Sequence, residues 1–300
     1  MKVRANGIDI EVEDTGGEGR PVMLLIMGLG MQLVAWPDSL VRWLVDAGYR
    51  VVRHDNRDAG LSQGFDELGT GNLLWQGVRY RLGLQVRSAY TLQDMAEDSL
   101  GVLDALGIGR AHVMGASMGG MIAQRVAATA PGRVASLLSV MSSSGARGLP
   151  GPRSDVQRLL MRRPAGTDEA ALVAHSMRLV KLIAGPVFPP DEAALRERLE
   201  HALCRAYRPH GLLRQIAAVA ADRDRADLLS RIASPTLVLH GNADPLVPVA
   251  CGLDTARRIP GARFALVPGM GHDLTPELVE MLLVHIAPFL RDLESQGTPA

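Results

Sequence analysis

His112-Val113-Met114-Gly115-Ala116-Ser117-Met118-Gly119-Gly120-Met121 decides how this 300-residue chain is read. It holds a G-x-S-x-G pattern between an apolar strand-like run, Ala111 to Met114, and a helix-like run, Met121 to Ala130. The bare pattern is a weak signal, and the strand–turn–helix context is what gives it meaning. A turn that tight forces Ser117 into a strained backbone with positive φ, and glycine on either side leaves room for it. The hydroxyl is then held at the carboxyl end of a sheet, where open α/β folds bind ligands.

Strands and helices alternate outward from this turn. Lys2 to Ala5 and Ile8 to Asp14 flank Asn6-Gly7, a strong hairpin signal. Val22 to Met27 is an unbroken apolar run of the kind buried on both faces of a parallel sheet. A helix follows from Trp36-Pro37 to Ala47, then a strand from Tyr49 to Arg53. Thr91-Leu92-Gln93-Asp94 resembles a capping box opening a further helix, and Val134 to Met141 reads as another strand. Such alternation predicts right-handed βαβ units in a doubly wound, mostly parallel sheet.

From Ser142 to Arg231 only helices are legible, near 155–162, 168–184, 191–206 and 210–221. Alternation resumes with Thr236 to His240, a helix near Val249 to Arg258, Phe264 to Val267 and a closing helix from Thr275 to about Leu293. The expected organisation is an α/β core, 1–141 and 232–300, interrupted by a helical lid, 142–231. A second insertion, Gln63 to Ala89, carries no clear pattern.

A serine hydroxyl needs a base within hydrogen-bond reach and an acid to orient that base. His240-Gly241-Asn242-Ala243-Asp244-Pro245 places a carboxylate just past one strand, and Pro268-Gly269-Met270-Gly271-His272-Asp273 an imidazole just past the next. Both fall on the sheet edge that carries Ser117. Asp244 also suits a plain turn before Pro245, and Asp273 ranks below it as the acid. An oxyanion needs two N–H donors, for which the backbones of Met118 and Leu29 are best placed.

These segments resemble the α/β-hydrolase superfamily over nearly the whole chain, in the order Ser, Asp, His. Arg53 to Ser62, RHDNRDAGLS, is similar to that family's D-x-R-G-x-G-x-S turn. The departure at Asp58, where glycine is usual, is expected to affect only the turn. Met27-Gly28, in place of the more usual His-Gly, is most similar to the aclacinomycin methylesterase type of polyketide esterase. The resemblance implies a triad of Ser117, Asp244 and His272, and a serine esterase acting on a small to medium apolar ester. Lactonase, C–C bond hydrolase, proline-type aminopeptidase and cofactor-free perhydrolase share the same parts, and a non-catalytic ligand-binding member is the rival from another class. Met27, Gly28 and Met270 are expected to line the substrate pocket, with Met31, Met118 and Met121 nearby.

Other classes find little support. Lys and Arg number 32, as do Asp and Glu, so the formal charge is zero, unlike a nucleic-acid binder. Gly28-Leu29-Gly30 with Asp55 mimics a dinucleotide site, but Leu33 stands where the third glycine belongs. No phosphate-loop or zinc-hydrolase motif occurs, so neither cofactor nor metal is expected. Cys204 and Cys251 match no metal site or disulfide framework. Arg196-Glu197-Arg198 and Asp222-Arg223-Asp224-Arg225 read as solvated helix faces or turns. With no signal peptide and no membrane span, a cytoplasmic monomer or homodimer acting on a small-molecule ester is expected.

Overall fold

Asn6 and Gly7 both take positive φ, 49° and 75°, as a two-residue type I′ hairpin turn requires. They join strand β1 (Lys2–Ala5) to β2 (Ile8–Asp14) in antiparallel register. The computed structural model describes residues 1–71 and 73–295. Residue 72, in the second insertion, and 296–300, at the end of the expected core, lie outside the described residues.

Beyond the hairpin come β3 (Val22–Ile26), helix α1 (Asp38–Asp46), β4 (Arg50–His54) and α2 (Leu73–Arg81). Then follow α3 (Leu92–Ala105), β5 (Ala111–Ala116), α4 (Met118–Thr129) and β6 (Val134–Val140). Thr91 caps α3 through the full capping box, its side chain accepting from the Asp94 N–H while the Asp94 carboxylate accepts from the Thr91 N–H. Only helices intervene before the next strand: α5 (Ser154–Leu160), α6 (Glu169–Ile183), α7 (Glu192–Arg205), α8 (Pro209–Ala221) and α9 (Arg225–Leu228). The chain ends with β7 (Thr236–Gly241), α10 (Val249–Arg258), β8 (Arg263–Val267) and α11 (Pro276–Ser295).

The strands form one sheet of order β1-β2-β4-β3-β5-β6-β7-β8, parallel from β4 to β8. The order reverses at β3, which lies between β4 and β5. Open α/β sheets bind ligands at such a switch point, outside the carboxyl ends of the flanking strands, here β3 and β5. Residues of β3 are all buried and alternate between the two faces of the sheet. Val22, Leu24 and Ile26 join a cluster with α3 and α4, while Met23 and Leu25 join another with α1 and α11. The apolar run thus packs helices on both faces, and each such side chain contributes about 1.5–3 kcal/mol when fully buried.

The helical segment has its own small core of Val173, Met177 and Leu195. Its last part is built into the main core, since Ala218 and Leu229 pack with α4 residues. The unreadable second insertion holds α2, whose Trp75, Val78 and Tyr80 are exposed. These outward-facing apolar side chains mark no core-facing stripe, the signal by which a helical period is read. Among the described residues no helix is long and apolar enough to cross a membrane.

Candidate active site

Ser117 follows β5 directly and stands at the N-cap of α4, with φ 55° and ψ −121°. Its N–H donates to Val140 O at 2.9 Å, and its own carbonyl accepts from the Ser142 hydroxyl at 2.8 Å. The elbow passes so close to β3 that a Cβ at Gly119 would lie 1.9 Å from Ile26 O. Glycine is therefore obligatory at that end of the motif.

Asp244 follows β7 and His272 follows β8, and Gly241 pairs with Val267 in the ladder between these strands. Adjacent parallel strands ending at one level deliver both loops to the same place. His272 Nδ1 lies 2.7 Å from Asp244 Oδ2, and its Nε2 2.9 Å from Ser117 Oγ. Asp244 is acceptor-only when ionised, so Nδ1 carries the proton and Nε2 is left to accept from the serine hydroxyl. The other carboxylate oxygen, Oδ1, accepts from the N–H groups of Leu246 and Val247 at 2.9 and 2.8 Å. Asp244 is therefore both the turn residue and the partner of the imidazole. The base loop is pinned to the end of α6, where His272 N donates to Ile183 O at 2.6 Å and Gly271 N to Ala184 O at 3.2 Å. Ser117 is half-buried, and Asp244 and His272 are 6% and 8% exposed.

Gly28, after β3, lies against the serine, and a Cβ there would stand 3.1 Å from Ser117 Cβ. Leu29 is half-buried beside it, and Met118 begins α4. The site thus faces the positive end of a helix dipole. Met27 and Met270 are buried at 4% and 0% and belong to the second core cluster. Met118 is equally buried in the first cluster, and only Met31 and Met121 keep appreciable exposure among the neighbouring methionines.

Two sequence expectations are corrected. Asp58 does more than shape its turn. It is fully buried, accepts from the Tyr90 hydroxyl at 2.8 Å and pairs through both oxygens with Arg214 of α8 at 2.7 Å. The run from Asp222 to Arg225 is solvated only in its middle: Asp224 is exposed, while the Asp222 and Arg225 side chains are 1% and 2% exposed. Arg125 of α4 supplies the partner, its Nε 2.8 Å from Asp222 Oδ1, and Arg225 also donates to Gln124 and to Ser143 O. An alternating charge run resembles a solvent face until a distant cation covers it.

Other groups are committed elsewhere. Asp55, the acid of the dinucleotide mimic, accepts from Leu33 N at 2.7 Å, Leu61 N at 2.8 Å and Arg205 at 2.7 Å. Asp273 pairs with Arg198 of α7 at 3.1 Å. His240 donates to Val247 O at 2.7 Å, and burial holds its pKa below the ordinary imidazole value. Among the described residues no group of three His, Cys, Asp or Glu is placed to hold a metal ion. Arg205, Arg214 and Gln215, from the helical segment, carry no motif of their own, and Arg198, which reads as part of a solvated helix face, is the partner of Asp273. Gly211, Arg214, Gln215 and Ala218 recur at i, i+3, i+4 and i+7 and are buried, so two polar residues on an inward stripe were the available signal.

A family model described as the alpha/beta hydrolase fold matches residues 21–277. Rhodomycin D methylesterase DauP of Streptomyces sp. (strain C5) is 30% identical, covering 93% of this chain and 94% of its own. The 2-hydroxy-6-oxononadienedioate/2-hydroxy-6-oxononatrienedioate hydrolase of Burkholderia vietnamiensis (strain G4 / LMG 22486) is 27% identical over 97% and 94%. The crystal structure of the enol-lactonase from Burkholderia xenovorans LB400 superposes with a TM-score of 0.72 at 21% identity, covering 97% of this chain and 100% of that one.

Proposed function

The chain belongs to the alpha/beta hydrolase fold family and is a hydrolase acting on ester bonds, and on that premise we propose that it cleaves small to medium apolar carboxylic esters through Ser117, His272 and Asp244. The observation that carries this reading is the unbroken chain from Asp244 Oδ2 through both ring nitrogens of His272 to Ser117 Oγ, at 2.7 and 2.9 Å. Ser117 Oγ attacks the ester carbonyl carbon as its proton passes to His272 Nε2. Asp244 holds the imidazole in the required tautomer and stabilises the imidazolium. The backbone N–H groups of Leu29 and Met118 stabilise the oxyanion, helped by the α4 dipole. Collapse breaks the ester C–O bond, and the leaving alkoxide takes the proton from His272, leaving an acyl-enzyme. Water then repeats the sequence, giving its proton to His272, adding to the acyl carbon and releasing the acid as Ser117 regains its proton. The segment 142–231 serves as the lid, resting on the base loop through Ile183, Ala184 and Arg198. The relative named as a methylesterase favours a methyl ester.

The test follows hydrolysis of p-nitrophenyl acetate, butyrate, octanoate and dodecanoate, and of an aromatic methyl ester, by the protein and by Ser117→Ala. Serine-dependent turnover is expected, with a chain-length optimum set by the space under the lid. Turnover of these esters that survives in Ser117→Ala would sink the reading. Absence of turnover from folded protein, with cleavage of an enol-lactone instead, would move the assignment to lactone chemistry.

A further inference from the structure

The loop after β3 is held from outside the core. Gly30 N donates to Gln215 Oε1 of α8 at 2.8 Å, and Gln215 Nε2 donates to Arg57 O at 2.8 Å. Gln215 is completely buried. Burying a carboxamide is unfavourable unless its groups are paired, so an apolar residue would suit this inward stripe better on packing grounds alone. The amide instead offers one acceptor to an N–H and one donor to a C=O. Each end meets a backbone group of a different core loop.

The same loop is tied at its other peptides. Met31 N donates to Gly28 O at 3.2 Å, closing a turn over 28–31, and Asn56 Nδ2 donates to Met27 O at 2.8 Å. Gln32 Nε2 donates to Ala202 O of α7 at 2.6 Å, and Arg205 donates to Gln32 Oε1 at 2.7 Å. A peptide is planar, with its C=O and N–H antiparallel. Holding Gly28 O therefore sets the direction of the Leu29 N–H, and holding Gly30 N fixes the next peptide of the turn. The left-handed Gly30, at φ 67°, is a residue with wide backbone freedom, and the bond from its N–H to Gln215 restrains it.

We propose that Gln215 is a positioning residue for ester hydrolysis: from the helical segment its carboxamide clamps the 28–31 turn so that the Leu29 N–H stays aimed at the oxyanion. This rests on the role given to Leu29 above. A donor misdirected by a fraction of an ångström stabilises the transition state less while leaving substrate binding almost unchanged.

Gln215→Met keeps the side chain's length and removes both hydrogen bonds. Steady-state kinetics with p-nitrophenyl butyrate are compared for it and the wild type, beside the inhibition constant of an alkyl trifluoromethyl ketone, whose serine adduct carries the oxyanion. The expected result is a kcat lowered roughly 10- to 100-fold, a KM within about twofold, and inhibitor affinity weakened in step with kcat/KM. Far-UV circular dichroism and Tm report the fold. Should the methionine variant not fold, Gln215→Asn, one methylene too short to span the two loops, takes its place with the same expectation. Kinetics and inhibitor affinity within twofold of wild type would overturn the proposal, as would a loss of kcat without a matching loss of inhibitor affinity. An active wild type with an unaffected Gln215 variant sinks this inference alone. A wild type without Ser117-dependent turnover removes the esterase reading and this inference with it.

Discussion

At Ser117 a non-glycine residue is held at φ 55° and ψ −121°, a conformation costing on the order of 1–3 kcal/mol that the surroundings must over-determine. They do so through the contact of Gly119 with the β3 carbonyl and the bond from Ser142 to the Ser117 carbonyl. Asp244 divides its work between its two oxygens, one accepting from the turn N–H groups and one from His272. Asp244→Asn keeps an oxygen for the turn but presents an amide that no longer fixes the tautomer with a proton on Nδ1. Ester turnover should fall on the order of 10³- to 10⁴-fold with the fold intact. Kinetics on the nitrophenyl esters alongside circular dichroism check this, and a loss of less than tenfold would remove Asp244 as the orienting acid. These residues were legible because each sits at a strand end and carries a local pattern. Gln215, which reaches Gly30 across 185 positions of chain, left only a polar residue on a buried helical stripe.

At the scale of elements, α8 is fastened to the core by a charge pair whose members are 2% and 0% exposed. Arg214 meets both oxygens of Asp58 and also reaches Asp66. Burial, first, and the adjacent Asp58 charge push the Tyr90 hydroxyl well above its ordinary pKa, so it remains a donor to that carboxylate. Arg214→Met strands a buried carboxylate, and the expected cost is about 3–5 kcal/mol, read from the urea midpoint. Adding Asp58→Asn should restore part of it, because the stranded charge is then gone. If the single variant unfolds at the wild-type midpoint, the pair does not anchor α8. The exposed Arg4–Asp9 pair serves as the contrast, since breaking such a pair costs between zero and about 1 kcal/mol. The helices of this segment were readable from their own periodicity. Their attachment was not, because Asp58 and Arg214 lie 156 residues apart.

For the whole molecule, buried histidines set the acid limit. Burial lowers the pKa of His54 and of His240, and lowers that of His112 from 6.5 to about 4. Between those two values the unfolded chain holds a proton on residue 112 that the folded chain does not. Stability should therefore be level above about pH 6.5 and fall as the pH drops toward 4, by up to about 1.4 kcal/mol per pH unit from His112, with His54 and His240 acting in the same direction. Asp14, held low by its hydrogen bond to Arg50, joins only below the ordinary carboxylate range. Urea midpoints at pH 7.5 and 5.5 measure the effect, and His112→Gln should make the dependence shallower. Identical midpoints at both pH values would refute it. The alternation of strands and helices, the serine turn between strand and helix, and the strand ends that carry Asp244 and His272 were legible in the sequence. Hydrophobic period, glycine spacing and turn chemistry act over a few residues, and chain order is written directly in the sequence. The burial of Met27 and Met270 in the core, the buried ion pairs of Asp58 and Asp222, and the bond from Gln215 to the loop beside Ser117 came into view only in the folded chain. Those outcomes depend on which distant group arrives within about 3 Å to satisfy a buried polar atom, and no local pattern carries that distance.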